Sequence, residues 1–146
     1  MFVDVQTETL IQRPLEEVAT FSADPDNAPR WYANIKSVEW RSQPGVRVGA
    51  RVAFVAHFLG RRMAYTYEIV EYEPEARLVM RTAEGPFPME TSYGWEAAGQ
   101  GTLMRLRNRG EPSGFKGLMA PLMQSAMRRA NLKDLALLKQ LLEASR

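Results

Sequence analysis

Residues 115–144, FKGLMAPLMQSAMRRANLKDLALLKQLLEA, are rich in Leu, Met, Ala, Lys and Arg, which are good helix formers. Gly117 is the only glycine among them. Apolar residues recur at helical spacing in two stripes, one through Phe115, Met119, Leu122, Ala126 and Ala130, the other through Leu135, Leu138 and Leu142. The segment therefore predicts one long helix of roughly 45 Å. We expect a bend or break at Pro121, because proline removes a helical hydrogen bond.

The residues before this helix alternate between apolar and polar, as half-buried strands do. The first such stretch is 3–11, and further candidate strands are 35–42, 49–59, 61–72, 76–84, 88–98 and 102–109. The connections from 44 to 101 all contain Gly or Pro, as hairpins require. Such short connections favour an antiparallel meander, so we expect a sheet of about seven strands.

Two short helical segments are predicted between the first and second strands. One begins at Pro14 and ends at Asp24-Pro25, and the other lies within PDNAPRWY at residues 25–32. A long amphipathic helix and a curved antiparallel sheet bury their apolar faces by packing on each other. The sequence thus predicts an α+β fold, with residues 1–146 forming a single domain whose sheet wraps around the C-terminal helix.

Four stretches of the sequence resemble the START/Bet v 1-like (SRPBCC) superfamily, in particular its bacterial polyketide cyclase/dehydrase-like branch. They are IQRPLEEVATF, DPDNAPRWYANIKSVEW, FLGRRMAYTYEIVEYEPEARLVMRT and GEPSGFKGLMAPLMQSAMRRANLKDLALLKQLLE, which together cover nearly the whole chain. The resemblance implies a helix-grip fold with a ligand cavity between sheet and helix. It supplies no catalytic motif, because the superfamily includes carriers, receptors and cyclases.

We expect this cavity to measure some hundreds of Å³, because one helix cannot fill the concave side of a strongly bent sheet. Candidate ligand-binding residues from the strands are Phe54, Phe58, Tyr65, Tyr67, Met89, Tyr93, Trp95 and Met104. Those from the helix are Leu118, Met119 and Leu122, near Phe115, Met123 and Ala126. Trp31, Tyr32 and Phe87 are candidates for the cavity opening, with core packing as the alternative.

Several charged residues have an orientation that the strand pattern leaves open. Residues 76–84 read equally well in either phase, so Arg81 either faces the cavity, where it would polarise a ligand carbonyl, or lies at the surface. Glu68 depends on phase in the same way, and His57 is expected to face solvent. For Asp134, near the apolar sector of the helix, we expect an ion pair with an arginine of the sheet.

Composition excludes several function classes. The chain has no cysteine and one histidine, so no thiolate or His-rich metal site is expected, and no cofactor motif is present. The net charge is +2, and the cluster Arg105, Arg107 and Arg109 alternates as on a solvated strand face, so nucleic-acid binding is not expected. The first residues resemble no signal peptide and no apolar run is long enough to enter a membrane, which predicts a cytoplasmic protein.

Three functions remain open at this level. The leading hypothesis is a carrier or sensor that binds a small hydrophobic ligand, such as a lipid or a polyketide-like molecule. The alternative is a polyketide cyclase/dehydrase-type enzyme that uses tyrosines and an arginine as acid and base groups. A protein-interaction or accessory module, with a homodimer as one form, is the third.

Overall fold

The computed structural model describes residues 3–58, 60–111 and 120–144. Seven strands precede the long helix, and two short helices lie between the first two strands. The elements are β1 Val3–Ile11, α1 Leu15–Ala23, a 3-10 turn Pro25–Asn27, α2 Ala28–Trp31, β2 Ile35–Trp40, β3 Arg51–Phe58, β4 Arg61–Glu73, β5 Arg77–Glu84, β6 Met89–Ala98, β7 Gly101–Gly110 and α3 Ala120–Ala144. The predicted order of elements is confirmed.

The seven strands form one antiparallel sheet in the order β1-β7-β6-β5-β4-β3-β2. Strands β2 to β7 form the expected meander, and β1 pairs with β7 along its whole length, from Val3 opposite Gly110 to Ile11 opposite Thr102. The sheet curves into a half-barrel. Register shifts in β2 and at two points of β4 accompany this curvature, since a bulge bends the strand and increases its twist.

Helix α3 packs on β1 and on α2. Its buried face reaches two separate apolar clusters. Towards its C-terminal end, Leu135, Leu138 and Leu142 join the main core, and nearer its start Met123 and Met127 form a second cluster with Val3 and Val5 of β1. The helix is therefore fixed to the sheet at two places along its length.

The orientation of α3 differs from the predicted one in its first half. Leu122 was expected to face the sheet but is 56% exposed, because the buried face runs through Met123 and Met127, one position further along the chain. A shift of one residue turns a helix face by about 100°, and the sequence is similarly apolar in both phases. Phe115, Leu118, Met119 and most of the turn before Pro121 lie outside the described residues.

The free edge of β1 is covered by polar side chains of α3. Backbone groups of β1 and of the residue after it hydrogen-bond to the helix in four pairs: Asp4 N to Gln124 Oε1 at 3.3 Å, Gln12 N to Glu143 Oε2 at 2.8 Å, Arg128 Nη1 to Gln6 O at 3.2 Å, and Lys139 Nζ to Leu10 O at 2.6 Å. An uncovered edge would present unpaired backbone groups to other chains. These contacts also hold the helix along the rim of the half-barrel.

The orientation of α3 predicts unequal costs for two leucine truncations. Leu138→Ala should lower the free energy of unfolding by about 2–5 kcal/mol, because Leu138 is fully buried in the main core. Leu132→Ala is the matched control on the same helix: this side chain is 48% exposed, so the loss should stay below about 0.5 kcal/mol. Urea unfolding followed by circular dichroism measures both, and equal losses would contradict the orientation.

Candidate functional site

A cavity of about 130 Å³, partly open to solvent, lies between the concave face of the sheet and α3. Most of its wall is apolar or aromatic. The aromatic and methionine side chains that line it are Tyr32, Phe54, Phe58, Tyr65, Tyr67, Phe87 and Tyr93, with Met63, Met80, Met89, Met123 and Met127. Methionine side chains adapt to irregular shapes, so this wall can accommodate molecules of more than one shape.

Eight of the candidate residues taken from the sequence lie on this wall. They are Tyr32, Phe54, Phe58, Tyr65, Tyr67, Phe87, Met89 and Tyr93. Six of them lie on β3, β4 and β6, and Tyr32 and Phe87 lie in connecting segments. That they contact a ligand is still a prediction.

Three candidates lie in the core instead of the cavity wall. Trp31 is fully buried and packs against Tyr32 and Tyr93, with ring centroids 4.1 and 5.7 Å away, so it supports the wall from behind. The indole Nε1 of Trp95 donates to Ser22 Oγ at 2.9 Å, which ties β6 to α1. Met104 is fully buried in the main core. Period-2 alternation predicted that Trp95 and Met104 face inward, but not that other side chains cover them. For Trp31, the alternative of core packing is the one that the structure shows.

Two further candidates point away from the cavity. Arg81 lies on the convex face, where its guanidinium pairs with Glu90 at 2.6 Å, because Leu78, Met80 and Thr82 form the inner set of β5. Leu122 is on the outer side of α3, as described above.

Leu118 and Met119 lie outside the described residues. His57 is exposed, and Glu68 pairs on the outer face with Arg51 at 3.0 Å.

The cavity is smaller than the several hundred Å³ expected. Part of the concave side is occupied by three aromatic rings, since Phe54, Tyr65 and Tyr67 pack on one another along β3 and β4 with centroid distances of 5.0 to 6.0 Å. A cavity of this order accommodates about one benzene-sized ring.

A chain of hydrogen-bonded side chains crosses the cavity wall from β4 to α3. The hydroxyl of Tyr67 lies 2.7 Å from Thr91 Oγ1, and the Thr91 hydroxyl donates to Asn108 Oδ1 at 2.5 Å. Asn108 Nδ2 then donates to Asn131 Oδ1 at 3.2 Å. Asn131 Nδ2, at the end of this chain, is buried without a hydrogen-bond partner among the described residues.

Two tyrosines form a second polar group on the wall. The hydroxyls of Tyr32 and Tyr93 are 2.6 Å apart. Burial raises the pKa of Tyr32 well above its usual value, and the nearby Tyr93 and Asp134 raise it further. Burial also raises the pKa of Tyr65 well above 10 and that of Tyr67 to about 12, the latter against the opposing effect of its Thr91 hydrogen bond. These hydroxyls therefore stay protonated at neutral pH.

Asp134 is the carboxyl of α3 on the cavity wall, 3% exposed. Its Oδ1 accepts a hydrogen bond from Ala33 N at 3.1 Å. Burial raises its pKa to about 6, partly offset by this hydrogen bond. The ion pair predicted between Asp134 and a sheet arginine is wrong: the arginines of β5 and β7 pair on the convex face with other carboxylates, Arg81 and Arg109 with Glu90 and Arg107 with Asp4.

The polar residues Asn108, Asn131 and Asp134 were not among the sequence candidates. Asn108 continues the inward phase of Met104 and Leu106 on β7. Asn131 and Asp134 fall at helical spacing between Met127 and Leu138. For Asn131, the competing apolar stripe through Leu122 concealed this spacing. Asp134 was recognised as close to the apolar sector of the helix, but an ion pair was expected for it.

The loop between β5 and β6 forms part of the cavity wall. Pro86 is exposed and Phe87 half-buried, and both line the cavity. Thr82 Oγ1 holds the base of this loop by accepting from Met89 N at 2.9 Å and donating to Met89 O at 3.1 Å. The residues 24 and 25 at the end of α1 contribute to the lining as well.

Within the described ranges, no group of three or more His, Cys, Asp or Glu side chains is arranged to hold a metal ion. In the same part of the chain, no helix is both long and apolar enough to cross a membrane.

The curved sheet, the long helix against it and the cavity between them define a helix-grip protein of the START/Bet v 1 superfamily. A family model described as polyketide cyclase / dehydrase and lipid transport matches residues 3–143. The chain belongs to this family. The comparison with curated proteins gives no match.

Solved structures share this fold along nearly their whole length. The protein TTHA0849 from Thermus thermophilus has 26% sequence identity and a TM-score of 0.85, with 98% of this chain and 99% of that chain covered. An aromatase/cyclase from Streptomyces has 13% identity and a TM-score of 0.79, covering 96% and 93%. A START superfamily protein from Mycobacterium smegmatis has 15% identity and a TM-score of 0.72, covering 97% and 94%.

The raised pKa of Asp134 predicts that the stability difference between the wild-type protein and an Asp134→Asn variant depends on pH. An unfolded carboxyl releases its proton near the usual value of 3.8, whereas the folded one does so near about 6. The folded state therefore binds the proton more tightly, and its stability falls as pH rises between these values. Asp134→Asn removes this loss, so from about pH 4 to about pH 7 the free energy of unfolding should shift by on the order of 2 kcal/mol in favour of the variant.

Urea unfolding of both proteins across this pH range measures the difference, and the other carboxylates cancel in the comparison. A stability difference that does not change with pH would contradict a raised pKa of Asp134 in the folded protein.

Proposed function

We propose that this protein binds a small, neutral, apolar molecule in the cavity between the sheet and α3, as a carrier or sensor. The observation that carries the proposal is the wall itself: aromatic and methionine side chains enclose most of the space, and a few polar groups converge on it. Small-molecule sites in proteins have this composition. The family description, which includes lipid transport, is consistent with the proposal.

The charges of the wall favour a neutral ligand. Among the described residues that line the cavity, the charged types are Asp24 and Asp134, and neither Lys nor Arg is present. A ligand carboxylate would lie near acidic groups and lose its hydration without gaining a cation. The cavity therefore favours an alcohol, ketone or hydrocarbon over a fatty-acid anion.

An enzyme of the cyclase/dehydrase type is the second candidate, favoured by Asp134. This carboxyl lies on the wall close enough to affect both cavity hydroxyls, Tyr32 and Tyr93, and its pKa of about 6 suits proton transfer near neutral pH. The tyrosines, protonated at this pH, would serve as hydrogen-bond donors to a developing oxyanion.

Nitrobenzisoxazole tests this second candidate. Loss of its ring proton to a base breaks the N–O bond and gives a coloured nitrophenolate. If Asp134 can act as a base on a bound ring, the wild-type rate should rise with pH through about 6, and Asp134→Asn should remove the acceleration. Asp24→Asn, at the other carboxyl of the wall, is the matched control and should retain it. Equal rates for all three proteins would contradict a catalytic role of Asp134 and favour ligand binding without turnover.

Filling the cavity tests the binding proposal itself. Ala130 lies on the wall, and Ala136 is exposed on the same helix. Ala130→Leu should weaken toluene binding at least about tenfold, since a ligand that buries two fewer carbons loses about 1.6 kcal/mol. Ala136→Leu should leave it unchanged. Titrations followed by amide chemical shifts measure both, and equal affinities would show that toluene binds elsewhere.

A further inference from the structure

The hydroxyl of Tyr65 is a polar group of the cavity wall that makes no hydrogen bond within the described part of the chain. Tyr65 is half-buried and lines the cavity. Among the described residues, the unpaired side-chain atoms that the protein encloses completely belong to Trp31 and Asn131, so the Tyr65 hydroxyl keeps accessible surface. Burial nevertheless raises its pKa well above 10. A hydroxyl that is both deeply placed and accessible faces the cavity.

The Tyr65 ring is held in position by its neighbours. Its centroid lies 5.6 Å from that of Phe54 on β3 and 5.0 Å from that of Tyr67 on the same strand. Gly85, in the loop after β5, packs against the base of the side chain, since a Cβ at this position would lie 3.0 Å from Tyr65 Cβ. The ring therefore has little freedom to turn its hydroxyl towards another partner.

The other tyrosine hydroxyls described on the wall already have partners. Those of Tyr32 and Tyr93 pair with each other at 2.6 Å. Thr91 donates its only hydroxyl proton to a neighbouring amide oxygen, so the Tyr67 hydroxyl must donate to Thr91. A ligand that displaces water from the cavity has to replace the hydrogen bond of the Tyr65 hydroxyl, because a buried polar group without a partner is costly.

The chemistry of this hydroxyl and of its surroundings defines the ligand group that fits. A phenol is a better donor than acceptor, because its oxygen lone pair is shared with the ring, and a carbonyl oxygen needs donors only. Asp24 and Asp134 are the charged types on the described wall, which disfavours an anionic acceptor. Building on the binding function proposed above, we infer that the Tyr65 hydroxyl donates a hydrogen bond to the oxygen of a neutral, single-ring ketone. It thereby selects carbonyl compounds over hydrocarbons of the same shape.

Two compounds of the same shape separate this hydrogen bond from apolar burial. Cyclohexanone and methylenecyclohexane differ only in that the ketone oxygen is replaced by a methylene group. Tyr65→Phe removes one oxygen atom and keeps the ring contacts with Phe54 and Tyr67. The affinity for cyclohexanone relative to methylenecyclohexane should therefore fall about threefold to tenfold, the usual net value of one hydrogen bond.

Tyr72→Phe is the matched control. It removes the same atom from the same strand, β4, and Tyr72 is not among the described residues that line the cavity. This variant should leave the affinity ratio unchanged.

A second measurement reports on the hydroxyl itself. In protein with carbon-labelled tyrosine rings, the Cζ signal of Tyr65 is identified by its loss in Tyr65→Phe. Titration with cyclohexanone should move this signal, and methylenecyclohexane should move it much less. Neither compound is aromatic, so ring currents of the ligand do not contribute to the shift.

The outcomes separate this inference from the proposed function. If both compounds bind but Tyr65→Phe leaves the ratio unchanged, the role of Tyr65 is wrong and apolar binding stands. The same conclusion follows if Tyr65→Phe weakens both compounds equally, since Tyr65 then acts through packing. If neither compound binds to the wild-type protein, the proposed function fails, and the inference fails with it.

Discussion

The attachment of α3 to the sheet at two separated apolar clusters determines the rest of the structure. Leu135 and Leu138 hold the C-terminal part in the main core, and Met123 and Met127 hold the earlier part against Val3 and Val5. Between these clusters the helix spans the concave face without filling it. The cavity is therefore a consequence of where the helix is fixed, and polar contacts along the edge of β1 keep it there.

This arrangement explains why polar residues occur on the buried face of the helix. Asn131 and Asp134 lie between the two clusters in sequence, where they line the cavity and hydrogen-bond to neighbouring elements. Asn131 is linked through Asn108 and Thr91 to Tyr67, and Asp134 receives the backbone N–H of Ala33. Buried polar groups with fixed partners specify orientation more than stability. The wall thus combines apolar side chains with a few polar groups whose orientation is fixed by their partners.

Much of the fold could be predicted from the sequence, because strand alternation and turn residues are local signals. The inward phase of β4 and β6 was readable, since Tyr67 lies between Thr66 and Glu68 and Tyr93 follows Ser92. In β3, where Phe54 has apolar neighbours on both sides, the more apolar phase indicated the inner face. Strand β5 was not, because the structure buries Leu78, Val79 and Met80 alike. The face of α3 predicted to be buried was wrong in the first half of the helix, because two neighbouring stripes of the sequence are similarly apolar. For this reason Asn131 was not recognised as a residue of the cavity wall. The cavity volume depends on how far rings such as Tyr65 extend inward, which no local pattern records.

A crystal structure under xenon pressure would show whether α3 leaves an apolar cavity against the sheet, since xenon enters apolar cavities that hold no water. A xenon atom is expected between the two apolar clusters, in contact with the Tyr67 and Met127 side chains. A xenon-free space filled by side chains or by a network of ordered water would contradict it.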